Sequence, residues 1–127
     1  MFRFLPFAVL ALAACTPEQP PVNGKAAFEA KCAQCHGITG QDGVALAAGV
    51  TAPDLTRISA RNGGTYPADY VMSVIDGFNR GQHVSGLMPK FGDGDLGPII
   101  MTEEDGNPVP VPAELLALSN YIETLQR

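Results

Sequence analysis

The sequence has no tryptophan, and three of its nine aromatic residues, Phe2, Phe4 and Phe7, fall within the first seven positions. A chain of 127 residues with so few large side chains builds one domain and one small core. Positive charge is also scarce: eight lysines and arginines stand against thirteen aspartates and glutamates. Nucleic-acid binding rests on concentrated positive charge, so no nucleic acid is expected as a partner. Histidine is limited to His36 and His83, and cysteine to Cys15, Cys32 and Cys35. A closed zinc site takes four Cys and His ligands, and there is no second cysteine pair to complete one. The longest apolar run, Phe4 to Ala14, is too short to span a bilayer as a helix. No internal repeat is present.

That apolar run follows Arg3 and ends in small residues, the pattern of a secretory signal peptide. Leu12-Ala13-Ala14-Cys15 resembles the lipobox of bacterial lipoproteins, in which the signal is cut before the cysteine and the thiol receives a lipid. The resemblance implies that residues 1–14 are a cleaved leader and that Cys15 is the lipidation site, tethering the domain to a membrane. An ordinary signal peptide with a chance cysteine is the alternative, and both readings export the domain. Removal of the leader takes Arg3 with it and leaves a net charge of about −6. The acids Asp93, Asp95, Glu103, Glu104 and Asp105 lie late, while six basic residues lie between Lys25 and Lys90. Such asymmetry is read as solvated surface.

Residues 15–22 include the polar, proline-rich stretch Thr16 to Val22, an extended tether. Residues 23–127 form the domain. Asn23 is a helix cap, Lys25 to Lys31 are mostly good helix formers, and Gly37 is a stop. Pro67 to Gly77 has apolar residues at 70, 71, 74 and 75 and reads as one short helix. Pro112 through Gln126 places Leu115, Leu118, Ile122 and Leu125 at helical spacing. Residues 98–111 are expected as a small hairpin turning at Asp105-Gly106, an edge at best because it carries three prolines, two of them in its second arm. The remaining long loops need something to pack on, and a large apolar cofactor would supply it.

Cys32-Ala33-Gln34-Cys35-His36 is the segment that carries chemistry. Its spacing serves a metal, thiol–disulfide exchange or covalent haem attachment. Zinc would have to draw on Cys32, Cys35, His36 and the isolated His83. A thioredoxin-like dithiol would sit in a βαβ setting, and no segment reads as a buried strand. For haem the spacing has a direct reason. Two thiols reach two vinyl groups on one edge of the porphyrin, while the following imidazole turns under the plane to the iron. Met72, His83, Met88 and Met101 are the candidates for a sixth ligand. Met72 reads as core and Met101 as hairpin packing, whereas His83 lies in a polar loop. Met88 precedes Pro89 in Gly86-Leu87-Met88-Pro89-Lys90-Phe91-Gly92, a stiffened loop, and is favoured. A thioether ligand favours ferrous haem and raises its reduction potential relative to bis-histidine ligation.

Taken in order, Gly24-x3-Phe28-x3-Cys32, Cys32-Ala33-Gln34-Cys35-His36-Gly37, Ala52-Pro53-Asp54-Leu55, Met88-Pro89 and Leu118-x2-Tyr121 resemble the class I c-type cytochromes over most of residues 23–127. The resemblance implies an all-α, small cytochrome c-like fold of three to four short helices around one covalently bound haem c. Cys32 and Cys35 would form the thioethers and His36 would be the proximal ligand. Pro53 would accept a hydrogen bond from the other ring nitrogen of His36, and Met88 would be the distal ligand. Gly24 and Phe28 would cross the last helix at Leu118 and Tyr121. Residues 93–111 depart from the family pattern as an acidic, proline-rich loop or short hairpin insertion. The implied function is single-electron transfer between redox partner proteins in the periplasm, by a monomer or a respiratory-complex subunit, and not an enzyme. A haem peroxidase or gas-binding protein with a labile sixth ligand is the alternative.

Overall fold

A computed structural model describes residues 21–81 and 86–127 of the chain. The leader, Cys15, most of the tether and His83 lie outside the described residues. Five α-helices are described: α1 (Gly24–Lys31), α2 (Ala33–His36), α3 (Ile58–Arg61), α4 (Ala68–Asp76) and α5 (Ala113–Thr124). A two-stranded antiparallel sheet, β1 (Ile99–Glu104) and β2 (Asn107–Pro112), precedes α5. This is the mostly helical, small cytochrome c-like fold that was expected, with the insertion folded as a hairpin. The helices outnumber the expected three to four for two reasons. The first helix breaks at Cys32, and a single turn forms at α3. No described helix is long and apolar enough to cross a membrane.

α1 starts where its cap predicts: the Ala26 N–H donates to Asn23 Oδ1 at 3.0 Å, satisfying one orphan donor of the first turn. It then lies across α5. A Cβ on Gly24 would fall 2.0 Å from the Ala117 carbonyl oxygen, so only glycine allows this approach. One turn on, the buried Phe28 ring meets Tyr121 at 5.3 Å between centroids, tilted by 57°. Lys31, at the end of α1, pairs with Glu114 in the first turn of α5. α4 adds Val71 and Ile75, α5 adds Leu115, Leu118 and Ile122, and Leu96 and Val111 complete the core. Met72 is partly buried against this cluster, as its helical position implied.

α5 has no side-chain cap, and backbone carbonyls take that role. The N–H groups of Ala113 and Glu114 donate to Pro98 and Leu96 oxygens at 2.9 and 3.0 Å. Past its other end, the Gln126 amide donates to the Leu55 carbonyl at 2.7 Å and Arg127 Nε to Thr56 Oγ1 at 3.1 Å. The Tyr66 hydroxyl donates to the Ser119 carbonyl at 3.0 Å, and burial pushes its pKa up to about 12, keeping it a donor.

The hairpin turns at Asp105-Gly106 as the sequence predicts, with φ of 50° and 79°, the left-handed pair that a two-residue turn needs. In such a hairpin the residues flanking the turn exchange backbone hydrogen bonds, and every second pair outward does the same. From the register these pairs are Glu104 with Asn107, Thr102 with Val109 and Ile100 with Val111. Pro108, Pro110 and Pro112 fall on the intervening pairs, where an N–H would point away from β1. The prolines therefore remove no ladder bond, and both strands run to six residues. Met101 is a correction. Expected to pack, it is 63 % exposed, because strand alternation turns it outward with Ile99.

Replacing Gly24 by alanine is expected to cost about 1–3 kcal/mol through overpacking at the α1–α5 crossing, read as a lower urea midpoint of the purified protein. An unchanged midpoint would show that this approach is not a tight one.

Candidate functional site

The Cys-x-x-Cys-His segment sits where the first helix breaks. Cys32 closes α1, its N–H bonded to the Phe28 carbonyl at 2.8 Å, and α2 carries the next residues through one further turn to His36. With α1 pinned across α5, the break delivers both thiols and the imidazole to one side of the core. Gly37, at φ +75°, then reverses the chain. The loop beyond it is closed by Val44 N–H to the Cys35 carbonyl at 2.9 Å and Ala52 N–H to the Val44 carbonyl at 3.1 Å. Gly43 makes that closure possible, because a Cβ there would lie 1.9 Å from the Ala52 oxygen.

The closed loop returns Pro53 to His36, whose Nδ1 lies 3.0 Å from the Pro53 carbonyl oxygen. A carbonyl only accepts, so Nδ1 carries the proton. In the neutral form of the ring this places the lone pair on Nε2, the arrangement a metal-ligating histidine requires. His36 is 8 % exposed, so the ring is held rather than free to turn. Asp54 steadies the next residues by accepting from the Thr56 N–H and hydroxyl at 2.8 and 2.7 Å. The Thr56 hydroxyl is the main reason its carboxyl sits below the usual carboxylate range.

Cys32, Cys35 and His36 line a cavity of about 780 Å³, within the roughly 300–1,000 Å³ of cofactor sites. Its walls are mainly apolar. Leu46, Val50, Ala52 and Leu55 come from the loop and the turn after it, Ile58 from α3, and Tyr70, Val71, Val74 and Ile75 from α4. Leu87, Met88, Pro89 and Phe91 come from the segment after α4. Met88 and Pro53 thus share one cavity with the Cys-x-x-Cys-His segment, whereas Met101 lies outside it. Two arginines were not foreseen. Arg61 lines the cavity and donates to the Asp54 carbonyl at 2.8 Å. Arg80 donates to the backbone carbonyls of both Met88 and Pro89. No motif signals such contacts, since a guanidinium meeting main-chain oxygens leaves no pattern in the sequence.

The donor chemistry separates the three candidate uses. Both cysteines are free thiols, and burial pushes the Cys32 thiol up to about 11, with Lys31 opposing the shift. Metal binding and thiol–disulfide exchange both need the thiolate, which this burial disfavours. Among the described residues, no group of three or more His, Cys, Asp or Glu could hold a metal ion. The described sheet is an antiparallel hairpin, so the βαβ setting of a dithiol oxidoreductase is not found there. Neutral thiols, an imidazole lone pair and a methionine around a large apolar cavity suit a flat, apolar macrocycle carrying its own iron.

A covalent haem protein is what this constellation defines. The cytochrome c family model matches residues 21–126, and the chain belongs to the cytochrome c family. No curated protein and no solved structure matches the chain. Membership brings covalently attached haem c, one group being typical of so small a domain, and haem-based electron transfer.

Haem peroxidase staining should therefore survive a denaturing gel, and the double variant Cys32→Ala, Cys35→Ala should lose it. Undiminished staining of that variant would move the attachment to other residues.

Proposed function

We propose that this protein is a periplasmic one-electron carrier, held at a membrane by a lipid on Cys15. In it Cys32 and Cys35 would hold haem c through thioethers, and His36 and Met88 would ligate its iron. The observation that carries this reading is the shared cavity of His36 and Met88, with Pro53 occupying Nδ1 and leaving Nε2 free. The haem supplies a one-electron couple at its iron. The chain's own residues do the rest. His36 is held in a single orientation by Pro53, which lowers the rearrangement needed between two oxidation states. The apolar walls exclude water. Tyr70 and Leu87 line the cavity yet are 44 % and 46 % exposed, a surface on which redox partner proteins make contact. With His36 and Met88 both ligating the iron, the haem would offer no open position to a substrate or gas.

Optical spectra of the oxidised and reduced protein, compared with Met88→Ala, test the reading. The parent should show a thioether–iron charge-transfer band and no rapid carbon monoxide binding. The variant should lose the band and bind carbon monoxide readily. A parent that binds carbon monoxide rapidly, or a band that survives in the variant, would refute methionine ligation and favour the gas-binding alternative.

Arg80 holds the main chain on which Met88 rides, so it is a positioning residue for this ligand. Arg80→Ala should raise the affinity of the ferric protein for imidazole about tenfold, the equivalent of one charge-assisted hydrogen bond of ~1.5 kcal/mol. Arg80→Lys, which cannot bridge two carbonyls as a planar fork does, should fall between. Unchanged imidazole affinity in both variants would remove that role.

A further inference from the structure

The hairpin contributes no residue to the cavity and departs from the pattern the rest of the chain follows. Its two edges are not alike. On β2 every residue whose N–H would point outward is a proline, Pro108, Pro110 or Pro112, so that edge offers no donors. On β1 the outward positions are Ile99, Met101 and Glu103, and their N–H groups have no hydrogen-bond partner among the described residues. Ile99 and Met101 are also 61 % and 63 % exposed. α5 packs on β2, and the Glu104 side chain of β1 lies beside Asp69 of α4, on the opposite face of the strand from Ile99, Met101 and Glu103. One edge is closed to pairing, and the other presents both backbone donors and apolar side chains.

We propose that β1 is a self-association edge: two copies of the chain pair β1 with β1, antiparallel about Met101, into a four-stranded sheet of order β2-β1-β1-β2. Met101 then faces Met101 of the second copy and Ile99 faces Glu103 of the second copy, with about six new backbone hydrogen bonds. Charge selects the antiparallel arrangement. The acidic turn of Glu103, Glu104 and Asp105 would lie beside its counterpart in a parallel pair. In the antiparallel pair the Glu104 positions are roughly 20 Å apart at ~3.4 Å per residue, beyond the ~8 Å screening length. The prolines on both outer edges stop the sheet at four strands, so the product is a closed twofold dimer and not a fibre. Two paired edges alone bury less than the ~1,200 Å² of a standard stable interface. The dimer is therefore weak and concentration-dependent, and it coexists with the monomer expected from the sequence.

The test uses the full-length, haem-loaded chain in its native membranes. Residues facing each other across such a pair have Cα atoms about 5.5 Å apart, within the ~4.4–6.8 Å that a disulfide spans. Under a mild oxidant, Met101→Cys should give a non-reducing gel band at twice the chain mass. Pro110→Cys, on the same face of the other strand, should stay at the background set by the parent's own cysteines. Adding Glu103→Pro to Met101→Cys should abolish the dimer band, because it removes an outward donor while sparing the ladder, as the prolines of β2 do. A Met101→Cys yield no greater than that of Pro110→Cys, or one unaffected by Glu103→Pro, would overturn the proposal. So would cross-linking only to a different polypeptide, the result expected if the edge receives a basic segment of another protein.

Discussion

Most of this structure depends on how closely α1 crosses α5. Gly24 lets the Ala117 carbonyl come within a distance no side chain would permit, and Phe28 and Tyr121 lock the crossing one turn later. Both functional regions hang from that contact. The C-terminal end of α1 delivers Cys32, Cys35 and His36 to the cavity. The N-terminal end of α5 accepts Leu96 and Pro98 as its caps and so anchors the hairpin. A shift of α1 along α5 would move the Cys-x-x-Cys-His segment relative to α4 and misalign the cavity walls.

The second constraint is how little the protein packs against itself. The buried apolar cluster of the described residues is small, and among their aromatic side chains only Phe28 belongs to the fully buried core. The residues that would enlarge that core in an ordinary domain, Val50, Leu55, Ile58, Val74 and Leu87, line the cavity instead. A covalently held haem then serves as cofactor and as missing core together. This explains how a chain with so many loop residues holds a defined shape.

Polar contacts at the cavity follow one pattern: side chains hold the main chain where it must be placed. His36 bonds the Pro53 carbonyl, Arg61 the Asp54 carbonyl, and Arg80 the carbonyls of Met88 and Pro89. Asp54 and Thr56 stiffen the turn between the first two. Loops without regular hydrogen-bond ladders have free carbonyls, and a cationic or imidazole donor satisfies them while fixing the loop.

The sequence by itself determined the local events. The Asn23 cap, the α4 stop at Gly77, the turn at Asp105-Gly106 and the Cys-x-x-Cys-His spacing are each set by neighbours within a few residues, and each is legible. The ordered motif set also carried the family, since Gly24, Pro53, Met88 and Tyr121 are meaningful in combination. Tertiary structure decided the rest. The break at Cys32, the extra turn at Ile58–Arg61, the outward face of Met101 and the reach of Arg80 depend on partners far away in the chain. Strand alternation shows that Met101 and Ile100 face opposite sides, but only the packing of the hairpin on α5 decides which side is solvent. Hydrogen bonds to loop carbonyls likewise have no sequence period, because the acceptor is the same at every residue. They exist only once the chain has folded back upon itself.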